Sequence, residues 1–428
     1  MEQKESSAIS KTATREVSKN NLVTVRKTCR LCGSYKLEEL IDLGKTPLAD
    51  LFVIDPKKKE LYFPLTVALC KKCYLVQLID DVNDDLLFGD NYAFYTGGSP
   101  SSLLYFKEYA NTVLQKFPKQ AKEFTLEIAS NDGTLLQYFK ERGCNILGID
   151  PAKNVAEYAN NHDIKTLAKF FNSSTAQEIQ KTHGKAGIII ANNVLAHVTD
   201  PSSFIKAVKK ILSEDGVFIF ECQYFPYLLF NNQFDNIYHE HRSFFSLTPL
   251  NSTLNKSGLK IIDVEEHDTQ GGSIRVYVTH AKNNIAINKI VKEKLSEEEK
   301  IGLLDIDTYK GFASRINYIK IKLINLLKSL KSQGKTIAGF GASAKSNTLL
   351  NYCEIDTKYL DYIVDKTPYK FGLYTPGTHI PVLGKEKTKP DYYLLLVWNY
   401  ASGILQREET FRKNGGKFII PIPTPHIV

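Results

Sequence analysis

The chain reads as an α/β protein in three parts: an N-terminal four-cysteine zinc module, a central Rossmann-like domain and a C-terminal Rossmann-like α/β domain. Three observations predict this. Two C-x-x-C pairs, Cys29 with Cys32 and Cys70 with Cys73, lie 37 residues apart. The stretch from Phe124 to Pro151 reads as strand, turn, helix and strand in quick succession. A second strand, glycine-bearing loop and helix open at Thr336.

At 428 residues the chain has room for roughly two or three domains, each with its own core. The formal charge of +8 is spread along the chain without a block that would read as a nucleic-acid arm, which favours small anionic ligands; a lysine-rich surface serving solubility is the plain alternative. No apolar run approaches a membrane span, Tyr392 to Trp398 reading only as a buried strand. Residues 1–20 are polar, mix both charges and lack the apolar centre of a signal peptide, so a disordered tail and a cytoplasmic chain are expected. Seven cysteines in that setting are reduced thiols or metal ligands.

Each C-x-x-C knuckle can present two thiolates, and four thiolates make a closed tetrahedral zinc site. Cys29, Cys32, Cys70 and Cys73 are therefore the expected ligands of a structural Zn2+, against a redox dithiol or buried thiol pairs. Strand-like runs around Leu40 to Leu43 and Tyr62 to Leu69 fill the interval.

From Asp80 to Phe117 the chain turns acidic and then amphipathic, with helical spacing of Leu103, Leu104, Phe106, Tyr109 and Val113. Between these parts, Asn91 to Ser99 is aromatic and flexible at once. It can serve as a lid over a pocket, or as a loop pinned by its rings.

The central unit begins with the apolar run Phe124 to Ala129, followed by helical spacing from Thr134 to Arg142 and a second apolar run ending at Asp150. The loop Ala129-Ser130-Asn131-Asp132-Gly133 lets a ligand approach a helix N-terminus closely. Asp150, 23 residues after Glu127, suits a ribose diol. The loop lacks G-x-G-x-x-G, and Glu127 would repel a pyrophosphate. An adenosine carried on a cationic amino acid, as in S-adenosylmethionine, suits these acids better, while helix capping by Glu127 and Asp132 is the structural alternative.

The alternation continues through Gly187 to Ala191, Pro201 to Leu212 and Gly216 to Glu221, which implies a mostly parallel sheet with ligands beyond the strands' carboxyl ends. Asn192 and Asn193 fall at such an end, and His197 reads as a packed or surface histidine. Gln233 to Arg242 then concentrates Tyr238, His239, Glu240 and His241, the groups that proton abstraction uses. A metal site and a buried hydrogen-bonded cluster are the alternatives. Strands at Lys260 to Val264 and Ser273 to Thr279 and a charged linker and helix, Lys292 to Leu330, complete this part.

The second unit places Gly339 to Asn347 between strand and helix, where backbone N–H groups and Lys345 could hold a phosphate. Asp365 ends a further strand, and Tyr369 to Gly372 and Thr375 to Pro381 form a loop with basic and hydroxyl groups.

The order of these motifs, four cysteines, EIASNDG, YHEHRSFF, GFGASAKSNTLLNY and TPGTHIPV, resembles the sugar C-methyltransferases, enzymes that act on nucleotide-linked 4-keto-6-deoxyhexoses. The resemblance covers nearly everything from Cys29 onward. With the expected tail over 1–26 outside it, the resemblance implies a zinc module over 27–80, a class I methyltransferase domain with its lid over 81–285, and a C-terminal nucleotide-sugar-binding domain over 286–428.

The activity it implies is methyl transfer from S-adenosylmethionine to the carbon beside the ketone, carbon-3. The cofactor site then comprises Glu127, Ala129, Ser130, Asn131, Asp132, Gly133, Asp150, Pro151, Asn192 and Asn193. His241 is the implied base, with Tyr238, Glu240 and His239 beside it and Tyr92 or Tyr95 of the lid at the sugar. Gly341, Ala342, Lys345, Ser346, Asn347, Lys370 and His379 are the implied residues for the nucleotide end, dTDP or GDP. The lid here is Tyr-Thr-Gly-Gly-Ser, where relatives commonly carry serines. Neither nucleic acid nor membrane is an expected partner, and a monomer or small homo-oligomer is expected. An NAD(P)-dependent nucleotide-sugar reductase or epimerase, and a non-catalytic zinc-containing nucleotide-binding module, are the competing functions.

Overall fold

The computed structural model describes residues 22–88, 95–386 and 388–428. The expected tail lies outside them up to residue 21, as does Tyr92 of the lid. Residues 23–25, also assigned to the tail, are instead a strand paired antiparallel with Asp80–Val82. The cause is local: Val-Thr-Val favours extended backbone, and Val23 packs against Leu48, Phe63 and Val82.

In the N-terminal module Leu37–Thr46, Phe63–Cys70 and Val76–Leu78 pair antiparallel in that order. Ser243–Phe244, directly after the Tyr238 to Arg242 segment, adds the fourth strand of this sheet.

The central sheet has seven strands, labelled β1 (Phe124–Ile128), β2 (Asn145–Asp150), β3 (Thr166–Ala168), β4 (Ala186–Asn192), β5 (Leu212–Gln223), β6 (Leu259–His267) and β7 (Ser273–His280). Their order is β3-β2-β1-β4-β5-β7-β6, parallel except for β7, which runs antiparallel to both neighbours. This is the class I methyltransferase fold. Along β4 the side chains alternate between faces: Ile188 and Ile190 meet Tyr109 and Val113 of the helix Pro100–Lys116, while Ile189 and Ala191 meet Phe204 and Val208 of the helix Pro201–Ile211. Each fully buried isoleucine contributes roughly 1.5–3 kcal/mol through area removed from water.

The expected charged linker and helix over 292–330 are two helices, Lys289–Lys300 and Ile306–Ser332. Gly302, at φ +83°, turns the chain out of the first, and the Asp305 side chain caps the second by accepting from the Asp307 amide. The C-terminal sheet comprises β8 (Ile337–Phe340), β9 (Ile363–Val364), β10 (Val382–Leu383), β11 (Tyr392–Leu395), β12 (Lys417–Ile420) and β13 (His426–Ile427), in the order β10-β9-β8-β11-β12-β13. All its pairs are parallel except β12 with β13. No helix among the described residues is long and apolar enough to cross a membrane.

Candidate functional site

The carboxyl ends of β1, β2, β4 and β5, the lid, the Tyr238 to His241 segment and the first turn of the helix Ala344–Cys353 open onto one cavity of about 2580 Å3. After β1 the chain passes through Ala129 at φ +55°, Asn131 at +51° and Gly133 at +79°. Left-handed backbone at two non-glycine residues is costly, and it is sustained here by fixed hydrogen bonds. The Ala129 amide donates to the Ile149 carbonyl at 2.7 Å and the Asn131 amide to Asp150 Oδ2 at 2.9 Å. A side chain at Gly133 would run into Ile164.

Three carboxyls converge at this loop. Burial and the neighbouring Asp132 and Asp150 push Glu127 well above the usual carboxylate range, and its buried Oε2 has no hydrogen-bond partner among the described residues. Asp150, also pushed up by burial, accepts from the amides of Asn131 and Ala152 and keeps lone pairs for a diol. Ser130 Oγ is buried and has no hydrogen-bond partner among the described residues. An acidic, partly unsatisfied pocket without a phosphate cradle fits a cationic adenosyl donor such as S-adenosylmethionine. Pro151, Asn192 and Asn193 line the same cavity, Asn192 Oδ1 accepting from the Tyr109 hydroxyl at 3.1 Å.

The lid is latched onto this loop. The Thr96 amide donates to Asn131 Oδ1 at 2.9 Å, and the Gly97 amide donates to Asp132 Oδ2 at 2.8 Å. Gly97 is required for that approach, since a Cβ there would lie 2.7 Å from Thr134 Oγ1. The Tyr95 hydroxyl accepts from Asn154 Nδ2 at 3.2 Å at the cavity wall.

On the opposite wall the Asn236 carbonyl accepts from His241 Nδ1 at 2.8 Å, which leaves Nε2 as the unprotonated nitrogen. Nε2 accepts from the Tyr238 hydroxyl at 2.8 Å. Burial, His197 and the positive charge of Lys345 push the imidazole down to about 3, so it is a neutral base at physiological pH. His197, which the sequence suggested was packed or at the surface, stands 5.0 Å from His241 between ring centroids and donates to the Glu240 carbonyl at 2.9 Å. Only its place just after a sheet-end asparagine pair hinted at this. Burial and Asp50 push the Glu240 carboxyl up to about 8, so it holds its proton at neutral pH. His239 points out of the cavity, its Nε2 donating to the Pro64 carbonyl at 3.1 Å.

In the C-terminal domain, Lys345 and Lys370 reach the cavity. Lys370 donates to the Ala342 carbonyl at 2.6 Å, and the Ala342 amide donates to Asp365 at 2.6 Å. Gly341, Ser346 and Asn347 are held in protein contacts: Gly341 packs on Val397, Ser346 Oγ donates to the Gly341 carbonyl, and Asn347 donates to the Ala49 carbonyl. His379 pairs with Glu60 at 2.5 Å, tying this domain to the N-terminal module.

The four cysteine sulfurs lie within 4.8 Å of one another, Cys29 to Cys73 at 3.5 Å and Cys32 to Cys70 at 3.6 Å. Each knuckle closes through a left-handed residue just after its second cysteine, Gly33 and Tyr74. Four converging sulfurs, with no other ligand grouped with them among the described residues, form the closed, tetrahedral set of a structural zinc.

Three family models match the chain in order: "Putative zinc binding domain" over residues 29–88, "Methyltransferase domain" over 105–264 and "C-methyltransferase C-terminal domain" over 268–423. C-methyltransferase NovU of Streptomyces niveus is 34% identical over 405 residues, covering 94% of this chain and 96% of its own. A ubiquinone biosynthesis O-methyltransferase of Bartonella bacilliformis is 27% identical over 124 residues, 28% of this chain and 50% of its own. Magnesium protoporphyrin IX methyltransferase of Synechocystis PCC 6803 aligns with 46% of this chain and 91% of its own at a TM-score of 0.34 and 11% identity. Together the family models and the full-length relative make the chain a methyltransferase, and the reductase and non-catalytic alternatives fall away.

Proposed function

Because the chain belongs to the C-methyltransferase family of NovU, we propose that it methylates a nucleotide-linked 4-keto-6-deoxyhexose from S-adenosylmethionine, at the carbon beside the ketone, carbon-3, after His241 has removed that carbon's proton. The observation that carries this reading is the neutral His241 imidazole, its tautomer fixed by Asn236, opening onto the same cavity as the acidic loop from Glu127 to Asp132. When bound, the cofactor supplies an electrophilic methyl group on a sulfonium. Glu127 and Asp150 would hold its cationic and diol ends. The Thr96 and Gly97 latch closes the loop against bulk water.

A proton beside a ketone is too weakly acidic for an unaided imidazole, so the chain must also stabilise the enolate. In the resting site the Tyr238 hydroxyl occupies the Nε2 lone pair. On substrate binding it turns to the ketone oxygen and frees the base. The nucleotide end extends toward Lys370, which favours a diphosphate-linked substrate, dTDP or GDP.

The test is direct: wild-type protein, S-adenosylmethionine and a panel of dTDP- and GDP-linked 4-keto-6-deoxyhexoses, read by product mass. One added methyl on a sugar carbon is expected, and His241→Asn should lower turnover by about a hundredfold or more with cofactor binding intact. No product from any member of the panel would overturn the substrate assignment.

A further inference from the structure

Lys345 breaks two local rules. It sits in the first turn of the helix Ala344–Cys353, where the helix dipole disfavours a cation, and it is only 8% exposed with no hydrogen-bond partner for Nζ among the described residues. Positions that break such rules in a folded chain tend to be functional ones.

Burial lowers the Lys345 ammonium below its ordinary value, and two neighbours oppose that without bonding to Nζ. The face of Trp398 lies 5.2 Å away, and the indole N–H donates to Asp235 Oδ2 at 2.6 Å. Asp235, fully buried and with no partner for Oδ1 among the described residues, supplies the nearby counter-charge.

The helix is also pinned to the segment that carries the base. Thr348, one turn on from Lys345, donates to the Ile237 carbonyl at 3.1 Å, and Tyr238 and His241 follow directly. Lys345, Tyr238 and His241 border one cavity. The sequence suggested a phosphate ligand at Lys345. The tie between its helix and the segment that carries His241 argues for the reacting end of the substrate instead.

We propose that Lys345 is a catalytic residue whose ammonium meets the ketone oxygen of the substrate and stabilises the negative charge that forms there when His241 takes the neighbouring proton. This rests on the function proposed above. In that step the C–H bond breaks and its electron pair forms the carbon–carbon double bond of the enolate. The carbonyl π pair moves onto oxygen, and the proton goes to His241 Nε2. The substrate gains one negative charge and the imidazole one positive charge, so the fixed ammonium faces the oxyanion while Tyr238 adds a neutral hydrogen bond.

The experiment isolates proton removal from methyl transfer. Wild-type protein and Lys345→Met are incubated in deuterium oxide with a dTDP-linked 4-keto-6-deoxyhexose and no S-adenosylmethionine, and deuterium gained beside the ketone is read by mass. Lys345→Gln, which keeps a polar group near Asp235, replaces the Met variant should the latter fail to fold. Titration of both proteins with dTDP and with S-adenosylmethionine accompanies it. Exchange at saturating sugar should fall about 100- to 1000-fold, the cost of losing one oxyanion donor, with both binding constants within about threefold of wild type. Unchanged exchange at saturation overturns the proposal, as does a tenfold or greater loss of dTDP affinity, which would make Lys345 a phosphate ligand. A wild-type protein that neither exchanges nor methylates the panel of keto-sugars overturns the substrate reading and this proposal with it.

Discussion

Acid titration of turnover measures the environment of His241 directly. A free imidazole titrates near pH 6.5. In the folded chain burial, then His197, then Lys345 push His241 down to about 3, while the Asn236 carbonyl works the other way. A displacement from 6.5 to 3 corresponds to ~5 kcal/mol, at about 1.36 kcal/mol for each unit of pKa. His241 is half-buried on the cavity wall, so solvent screening returns part of this, and an apparent value below that of a free imidazole is expected. The sign follows from the direction. A depressed pKa keeps the base form populated down to the folded value, so activity is lost only as pH falls through it. The unfolded chain takes a proton near pH 6.5 and the folded one does not, so folding stability starts to fall below pH 6.5, before the base itself titrates. The assay is kcat/KM for methyl transfer from pH 4.5 to 9, beside thermal melting over the same range. An acid limb at or above pH 6.5 would refute the reasoning, because His241 would then be no less basic than in water.

Two further outcomes follow from the lid and the metal. Gly97→Val should weaken S-adenosylmethionine about tenfold by calorimetry with little change in melting temperature, since it breaks the latch on Asp132 without touching the core; unchanged affinity would separate the lid from the cofactor loop. One zinc per chain should be found by metal analysis, and its removal by a chelator should lower the melting temperature by roughly ten degrees or more and abolish methyl transfer; a metal-free protein with full stability would remove the zinc from the fold.

Local pattern carried most of the fold and little of the site's tertiary detail. The βαβ alternation, the four cysteines and the charged segment around Tyr238 were legible because their periods and spacings are short-range. The insertion of β7 between β5 and β6 was not, since strand order depends on pairing between distant residues. His197 was legible as a residue and illegible as a neighbour: its ring meets His241 only because the end of β4 is brought against the Glu240 carbonyl. Gly302 and Asp305 did carry the break between the two linker helices, and a charged run of helix formers masked it. The lid glycine was legible only as flexibility, whereas its reason is a contact with Thr134.

The zinc module has a use in this fold that four cysteines alone do not suggest. Arg30 lies inside the first knuckle and is buried; its guanidinium donates to the Thr199 and Leu78 carbonyls and pairs with Asp81. Arg242, next to His241 and almost fully buried, donates to Thr199 Oγ1 and the Val82 carbonyl. Both arginines thus grip the stretch from Leu78 to Val82 and the loop at Thr199, and the strand Ser243–Phe244 pairs with Val76–Leu78 of the module. His241 is therefore held from behind by the four-cysteine sheet. Breaking a buried ion pair of this kind costs about 3–5 kcal/mol, and a displacement of ~1 Å at a reacting centre can cost two orders of magnitude in rate. A four-cysteine knuckle can then fix the position of the His241 imidazole through these contacts, a structural use for a metal that has no open coordination position.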